Sequence, residues 1–368
     1  MSFFKPIPIL WVILFCPLLM CQGYGAGATL EQDEKTSRPK ILDAIVLNNI
    51  SPYDFKAFSS HINKYRNPGN IKTLSVSGDA NYVLNQREME ISFDRFPALT
   101  IVELPYCPMG DRGLLSIVPI LRNLEKLNLQ RNHITDVDLA TMFAGIYEVP
   151  NLRTLTLSNN PISSNYIHQL PIFENLTELR VDRTDLSNRG LCALSSKCPA
   201  LQLLSAESCL LSDDAAEAIS VNSPNLIELI LDENDIGPKG AEHLAHLQFL
   251  VVLHISGNRI QKTGLNALLQ GLPSVRKIRA IGNDIMMAPS DLRDSIPPHL
   301  EDLDLSWNMI DAWAEQLSMF DQLRMLTLDN ARVNQKTVDI LRTELPDCVI
   351  KAQSLKMGFA KPNHPSSQ

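Results

Sequence analysis

Few residues of this chain stand in a spacing that supports catalysis. The motifs GxSxG, HExxH and GxxxxGK[ST] are absent, as is a GxGxxG turn after a strand. His243 and His246 lie three residues apart without a carboxylate or cysteine in a supporting position, and His254 is isolated. We therefore expect a protein that is not an enzyme and that binds no cofactor.

Four acidic residues, Glu207, Glu228, Asp232 and Glu233, form a candidate acidic cluster. Carboxylates grouped in this way can receive Lys and Arg side chains from a partner. They also resemble the oxygen ligands that Ca²⁺ takes, but no segment resembles the calcium loop of an EF-hand. The cluster predicts contact with a basic protein rather than a metal site.

The cysteines do not form a disulfide framework. Two of the seven, Cys16 and Cys21, lie in the apolar N-terminal segment. The other five are widely spaced and odd in number, and no CxxC motif joins any of them: Cys107, Cys192, Cys198, Cys209 and Cys348.

The elements that carry these residues come from a repeat. The segment Leu124–Ile134 reads LxxLxLxxNxI, with Leu at positions one, four and six, Asn at position nine and Ile at position eleven. Sharp copies start at Leu152, Leu226, Leu250 and Leu300. Softer or degraded copies start at Leu42, Ile71, Leu99, Leu176, Leu201, Val275 and Leu323. Successive starts are 23 to 29 residues apart, a period typical of solenoids.

This pattern resembles the leucine-rich-repeat family over nearly the whole chain after the N-terminal segment. Linking segments such as Leu186–Leu191 and Ile260–Leu265 are similar to those of the ribonuclease-inhibitor-like branch, although several repeats are shorter than is usual there. The resemblance implies an α/β fold, namely a right-handed horseshoe-shaped solenoid with a concave parallel sheet and helices on the convex side. It also implies a protein-binding module.

Elementary physics leads to the same fold. The alternation in LxxLxL has the period of two of a half-buried strand. Thr135 and Ser212 precede helical stretches as N-cap residues, and Asp213 and Asp214 suit the positive end of a helix. Prolines such as Pro199 and Pro224 then end the helix before the next strand. Each repeat is predicted to run strand, turn, helix, turn.

Asparagine at position nine has a structural interpretation. The chain bends there inside the stack, where backbone groups need partners, and an amide side chain both donates and accepts hydrogen bonds. We expect a ladder of stacked amides at Asn132, Asn160, Asn234, Asn258, Asn283 and Asn308. Cys107, Thr184, Cys209 and Ala331 take this position in other copies.

Positions three, five, seven and eight point away from the leucine core, onto the concave face of the predicted sheet. Trp307 and Tyr106 are its large aromatic residues, of the type that dominates binding interfaces. Packing of Trp307 beside Trp313 and a merely solvated, non-specific face are the alternatives. The predicted partner-binding residues are Tyr106, Arg131, Arg180, Asp182, Glu207, Glu228, Asp232, Glu233, His254, Arg279, Asp304 and Trp307.

The N-terminus reads as an export signal. Lys5 precedes the apolar run from Ile7 to Met20, and Ala26-Gly27-Ala28 provides a cleavage site. Lipidation at Cys21 and an uncleaved anchor are the alternatives. The predicted organisation is a signal peptide (1–28), a flexible leader (29–40), a capping region with a helix near Tyr53–Tyr65 (41–98), the repeat array (99–345), and a cap strand with a disordered tail (346–368).

Charge narrows the class of partner. The chain has 33 Lys and Arg against 41 Asp and Glu, a net charge of -8, and loss of residues 1–28 removes only Lys5 and makes it -9. This acidity argues against nucleic acid and anionic membrane surfaces, although it is also what solubility alone requires. We predict an exported, monomeric, partner-binding module without membrane insertion after cleavage. The alternatives are a ubiquitin-ligase adaptor, a GTPase-activating protein or a structural envelope or surface protein.

Overall fold

The computed structural model describes residues 44–50, 62, 68–78, 91–107, 109, 111–286, 296–310 and 313–353. The predicted signal peptide, the leader, the tail beyond residue 353 and, apart from Ile62, the predicted helix near Tyr53–Tyr65 lie outside this part of the chain. The chain divides into two compact units between Asn234 and Asp235, here called unit 1 and unit 2.

Unit 1 contains eight strands in chain order, each parallel to its neighbour. They are β1 (Ala44–Ile50), β2 (Thr73–Gly78), β3 (Ile101–Glu103), β4 (Lys126–Asn128), β5 (Thr154–Thr156), β6 (Glu178–Arg180), β7 (Leu203–Ser205) and β8 (Glu228–Ile230). From β3 onward each strand covers positions three to five of the repeat.

Unit 2 continues the same pattern with five parallel strands, again in chain order. They are β9 (Val252–His254), β10 (Lys277–Arg279), β11 (Asp302–Asp304), β12 (Met325–Thr327) and β13 (Val349–Lys351). In each unit the strands are parallel and follow chain order, so the predicted α/β solenoid of stacked strand-containing coils is confirmed.

The leucines of the repeat form the core. In the copy that starts at Leu226, the side chains of Leu226, Leu229 and Leu231 are fully buried, while Glu228 and Ile230 between them are half-buried. Burying a leucine side chain contributes about 1.5–3 kcal/mol. Because one coil cannot cover its own leucines, the contribution is gained only when coils stack.

Seven α-helices are found in the described residues. They are α1 (Asp111–Ile117), α2 (Asp136–Met142), α3 (Ser187–Ser195), α4 (Asp213–Asn222), α5 (Pro238–Leu244), α6 (Gln261–Gly271) and α7 (Gln335–Glu344). Short 3-10 helices occupy Pro68–Asn70, Phe93–Arg95, Val118–Asn123, Ile167–Gln169 and Ala314–Met319.

The two predicted N-cap residues behave differently. The Thr135 hydroxyl accepts a hydrogen bond from the Asp138 backbone N–H, and the Asp138 carboxylate accepts one from the Thr135 N–H, which completes a capping box for α2. Ser212 precedes α4 but makes no capping bond. Its hydroxyl instead accepts from the Asn188 amide at 2.6 Å, which links it to the preceding repeat.

The coil between β5 and β6 departs from the predicted strand–turn–helix order. Its only helical turn in the described structure is the 3-10 segment Ile167–Gln169. Pro161 and Pro171 bracket this coil, and a proline cannot donate within a helix. The buried Asp136 carboxylate further holds the loop, because it accepts hydrogen bonds from the Ser163 backbone and hydroxyl and from the Tyr166 N–H.

Glycines bring α6 close to α5 within unit 2. A Cβ on Gly264 would lie 2.9 Å from the Ala241 Cβ, and a Cβ on Gly271 would lie 2.6 Å from both the Cβ and the carbonyl oxygen of Ala245. Glycine costs stability inside a helix, so its use here follows from the close approach of the two helices.

Candidate partner-binding surface

The name sheet face is used here for the side chains at positions three, five, seven and eight of each repeat. These positions are half-buried or exposed in most copies, whereas positions one, four and six are buried. The strands set this division, because alternate side chains of a strand point to opposite faces of the sheet. All twelve predicted partner-binding residues lie on the sheet face.

Position nine lies behind the sheet face and is occupied by internal hydrogen bonds. The Asn160 side chain is 2% exposed. Its Oδ1 accepts from the backbone N–H groups of Asn132 and Ile134 at 2.8 and 3.0 Å, and its Nδ2 donates to the carbonyls of Leu129 and Leu157, both at 2.8 Å.

The other position-nine asparagines form equivalent bonds within their units. In unit 1, Asn132 accepts from Cys107 N, and Asn234 accepts from Cys209 N. In unit 2, Asn258 accepts from Ile236 N, Asn283 from Ile260 N, and Asn308 from the backbone N–H groups of Asn283 and Ile285. These amide side chains bond the backbone groups at the bend of each coil, so their role is structural.

Position eight has a backbone conformation that the sequence pattern did not reveal. In ten consecutive copies its φ lies between 52° and 64°, in the left-handed region: Tyr106, Arg131, Asn159, Arg183, Ser208, Glu233, Gly257, Gly282, Trp307 and Asn330. For a residue other than glycine this conformation costs about 1–3 kcal/mol. The turn after each strand therefore imposes strain on whichever large side chain stands there.

In unit 1 the strained side chains contact one another. The Arg131 guanidinium lies 5.3 Å from the centre of the Tyr106 ring, which is a cation–π contact. Arg183 Nη2 lies 2.7 Å from Glu207 Oε1, and this hydrogen bond to Glu207, with the charge of Glu207, raises the pKa of Arg183. The Ser208 hydroxyl donates to Glu233 Oε2 at 2.6 Å.

The Asp182 carboxylate accepts hydrogen bonds from both flanking repeats. It accepts hydrogen bonds from the hydroxyls of Ser158 and Ser205, and from the Glu207 backbone N–H at 3.0 Å. Asp182 therefore braces neighbouring repeats. The sequence predicted it to be a partner-binding residue. Its two serine partners are 24 and 23 residues away along the chain, so the sequence pattern did not reveal these contacts.

Most remaining charges on the sheet face of unit 1 are also paired across or along the strands. Arg180 binds Glu178 at 2.7 Å, and Lys126 binds Glu103 at 2.6 Å. Within the described residues, Glu228 on β8 takes part in no salt bridge of 4.0 Å or less, and its strand neighbour on β7 is Leu203. Within the acidic cluster, Glu207 and Glu233 therefore have partners inside the fold, whereas Glu228 forms no salt bridge with a described residue.

Asp232, the fourth member of the acidic cluster, stands at position seven of its repeat. Its backbone carbonyl accepts from Ser208 N at 2.9 Å and from the Asn234 amide at 3.1 Å. These bonds hold the turn that presents the acidic side chains.

In unit 2 the sheet face is less charged and includes an exposed aromatic ring. Trp307 is 58% exposed, whereas Trp313 is 3% exposed and belongs to the core. The one ring-to-ring contact in the described part of the chain is between Phe143 and Phe173, so the indole of Trp307 is not stacked on Trp313.

Polar groups near Trp307 are largely engaged with one another. Asp304 Oδ1 accepts from the Ser306 backbone N–H and hydroxyl at 3.0 and 2.6 Å. The Ser306 hydroxyl in turn accepts from Asp329 N, and Asp329 Oδ1 accepts from Gln353 N. The Asp304 carboxylate therefore holds the turn of its own repeat, and the Ser306 hydroxyl links that turn to the next repeat.

Arg279 lies on β10 with its Cα opposite His254 on β9 and Asp304 on β11. Its side chain is half-buried, and no described acidic residue lies within 4.0 Å of its guanidinium. Lys277, two residues earlier on the same strand, does reach Asp302, at 3.4 Å.

The cysteines do not add a reactive centre. The five described cysteines are free thiols, and Cys107, Cys198 and Cys209 are buried. Burial raises the pKa of Cys107 and of Cys198 to about 12, and it also raises the pKa of Cys209. A thiol that stays protonated is a poor nucleophile, so these three side chains are part of the core.

The described residues contain neither a metal-ligand cluster nor a helix suited to cross a membrane. No group of three or more His, Cys, Asp or Glu side chains in that part of the chain is arranged to hold a metal ion. None of its helices combines the length and the apolar character needed to cross a bilayer.

Comparison with known proteins agrees with the repeat. The family model "Leucine Rich repeats (2 copies)" matches residues 122–166, and "Leucine Rich repeat" matches residues 222–245, 246–269 and 297–312. The chain therefore contains leucine-rich repeats, and the fold and exposed sheet face place it in the class of leucine-rich-repeat solenoids.

Two solved structures are similar over most of the chain. A leucine-rich-repeat protein of Leptospira interrogans is 17% identical with a TM-score of 0.40, and the match covers 84% of this chain and 90% of that one. An internalin, InlF, of Listeria monocytogenes is 16% identical with a TM-score of 0.47, covering 85% and 82% respectively. The assignment rests on the repeat and the parallel sheet rather than on these two structures.

Proposed function

We propose that this protein is an exported leucine-rich-repeat module that recognises a protein partner with its sheet face and performs no catalysis. The observation that carries the proposal is Trp307. Its large apolar side chain is 58% exposed on the sheet face and is held at a φ of 60°. An exposed tryptophan in a costly backbone conformation is explained by a contact made outside the chain.

The sequence supports the export part of the proposal. Lys5, the apolar run that follows it and Ala26-Gly27-Ala28 have the order of a signal peptide. The protein would then act in a periplasmic or extracellular compartment as a monomer without membrane insertion. Lipidation at Cys21 or retention of the segment as an anchor would change the attachment but not the binding face.

Charge favours a protein partner with a basic patch. The net charge is -8, and Glu228 presents a carboxylate without a salt bridge inside the described structure. An acidic surface repels nucleic acid, which is polyanionic, so nucleic acid is not proposed as the partner. The linking segments between strands also support the ribonuclease-inhibitor-like branch, whose repeats have helices such as α3 and α4 between strands.

The proposal is tested by capturing partners from the compartment in which the protein resides, with chemical crosslinking and mass spectrometry. We expect Glu228→Lys and Trp307→Ala each to weaken capture of one defined partner while the melting temperature does not fall. Asp232→Lys should act in the same direction, but Asp232 also has contacts inside the fold, so Glu228→Lys is the cleaner charge reversal.

A matched control lies on the helical side of the same unit. Glu217 is an exposed residue of α4, and Glu217→Lys changes the net charge by the same amount as Glu228→Lys. Capture should be unaffected by the control. If Glu217→Lys abolishes capture and the sheet-face variants do not, the sheet face is not the binding surface.

A further inference from the structure

Position eight of unit 2 has an unusual order of residues. Gly257, Gly282 and Trp307 occupy it in the turns after three successive strands, with φ of 64°, 59° and 60°. These three residues form what is called here the glycine ledge: two positions without side chains beside an exposed indole. With parallel strands about 4.8 Å apart, the ledge extends for about 10 Å across the strands.

The backbone conformation does not explain the two glycines. Eight other copies have a side chain at the same position and the same φ range, including Asn159, Ser208 and Asn330. Asparagine in particular adopts this conformation with little strain. A glycine is therefore not needed for the turn to form.

Internal packing does not explain Gly282 either. A Cβ built on Gly282 would have one heavy atom within 4 Å among the described residues, the Cβ of Trp307 at 4.0 Å. That is an ordinary van der Waals contact. Because no ring atom of Trp307 comes within 4 Å of that point, the indole does not fill the space above Gly282, and the described residues leave that part of the ledge open.

A glycine that neither strain nor packing requires is typical of a place where another backbone or a ligand approaches closely. The exposed ring beside it provides a flat apolar wall. A flat apolar side chain, such as an aromatic ring or proline, fits between bare backbone and indole, where it is shielded from water on two sides.

The polar surroundings favour a peptide over a carbohydrate. A sugar needs several free hydrogen-bonding groups around the aromatic ring, but the Ser306 hydroxyl and one carboxylate oxygen each of Asp304 and Asp329 are already bonded inside the fold, which leaves fewer groups for a sugar. The group that is not paired with a described acidic residue is the Arg279 guanidinium. Arginine binds carboxylates by two parallel hydrogen bonds.

We infer that the glycine ledge of unit 2 binds an extended peptide segment that places a flat apolar side chain against Trp307 and a carboxylate at Arg279. Arg279 ends β10, and Trp307 stands three residues after the end of β11 on the neighbouring repeat. Three extended residues along and one strand across set an upper limit of about 11 Å on the separation of their Cα atoms. An extended peptide covers this distance with about three to four residues. This inference rests on the proposed function and names the chemistry of a peptide recognised by that face.

The test uses the whole protein and a phage-displayed library of random peptides, from which bound sequences are selected and then synthesised for fluorescence anisotropy. We expect selected peptides to combine Asp or Glu with an aromatic residue or proline a few residues away. Gly282→Asn adds a side chain to the ledge in a backbone conformation that Asn159 and Asn330 already adopt, so it should weaken binding by at least about tenfold without unfolding the protein.

The controls separate the ledge from the rest of the sheet face. Asn159→Gly makes the reverse change at the same position in unit 1 and should leave the affinity within about twofold, the size of a surface substitution effect. Arg279→Ser should weaken peptides that contain the acid but have little effect once that acid is replaced by Gln, which isolates the Arg279–carboxylate contact in a double-mutant cycle.

Three results would overturn the inference: no peptide whose binding is sensitive to Gly282→Asn, selected peptides rich in Lys or Arg without an acid, or a glycan array signal that Gly282→Asn removes. The last would identify a carbohydrate ligand. If the partner captured under the proposed function is lost with Trp307→Ala but is insensitive to Gly282→Asn, the proposed function stands and the glycine ledge is not its binding site.

Discussion

Removal of one position-nine amide is expected to open a defined part of the stack. In Asn160→Ala, two backbone N–H groups and two carbonyls lose their partners in a site that is 2% exposed. The net loss is about 1 kcal/mol per hydrogen bond, or about 4 kcal/mol for the four, with a larger cost if water cannot reach the freed groups. That is a large part of the 5–15 kcal/mol that typically stabilises a domain.

Hydrogen exchange provides the sharpest assay, because repeat arrays do not always unfold in two states. The amides of Asn132 and Ile134 donate directly to Asn160 Oδ1, so their protection should fall in Asn160→Ala. The amides of unit 2 should change much less. Urea denaturation followed by circular dichroism would measure the accompanying shift of the midpoint.

Two further substitutions calibrate the effect. Asn151→Ala removes an exposed amide that makes one hydrogen bond, to the Arg122 carbonyl, and should cost no more than about 1 kcal/mol. Asn160→Cys should lie between the two, because the thiol of Cys209 at the same position donates to the carbonyl of Val181 in the preceding repeat. If Asn160→Ala costs no more than Asn151→Ala, the amide ladder does not stabilise the stack as argued.

Three other perturbations follow from the packing of the core. Gly271→Ala should lower the stability of unit 2 by about 1–3 kcal/mol, since the new Cβ would lie 2.6 Å from the carbonyl oxygen of Ala245, the residue that follows α5. Gly69→Ala, with nothing within 4 Å, should be nearly neutral in the same denaturation series. Asp136→Ala should lower the melting temperature and expose the loop after β5 to protease, because three donors lose their buried acceptor. Intact loop protection would contradict this. In the native protein, iodoacetamide labelling with peptide mapping should modify the exposed Cys192 and spare Cys107. As pH rises from 9 towards 12, the unfolded state loses the thiol proton that the buried Cys107 retains, so stability should decrease over that window and show no such dependence below it.

Local pattern was sufficient for the fold, because the information is repeated in every coil. Leucine at positions one, four and six requires burial, a period of two predicts a strand, and Thr135 with Asp138 marks the start of a helix. The predicted parallel α/β solenoid is confirmed for these reasons. The coil between β5 and β6 was less predictable, since its 3-10 turn depends on Asp136 of the preceding repeat as well as on its own prolines.

Charge pairing on the sheet face was decided only by the tertiary structure. Asp182 and Glu207 are on adjacent repeats, 25 residues apart along the chain. Whether their side chains bond inside the fold or stay available to a binding partner depends on the register of the parallel strands and on the side-chain rotamers. The sequence identified which side chains face outward. It did not indicate that the carboxylates of Asp182 and Asp304 accept hydrogen bonds from serine hydroxyls inside the fold.

Position eight shows most clearly the difference between what the sequence determines and what the tertiary structure decides. The sequence by itself determined that Trp307 stands on the outward face, because its place in the repeat follows from counting. Only the tertiary structure decided that this position is left-handed in ten consecutive copies, and that Gly282 leaves open space beside the ring. A backbone dihedral and an unfilled volume depend on atoms from neighbouring coils, which a pattern within one coil does not contain.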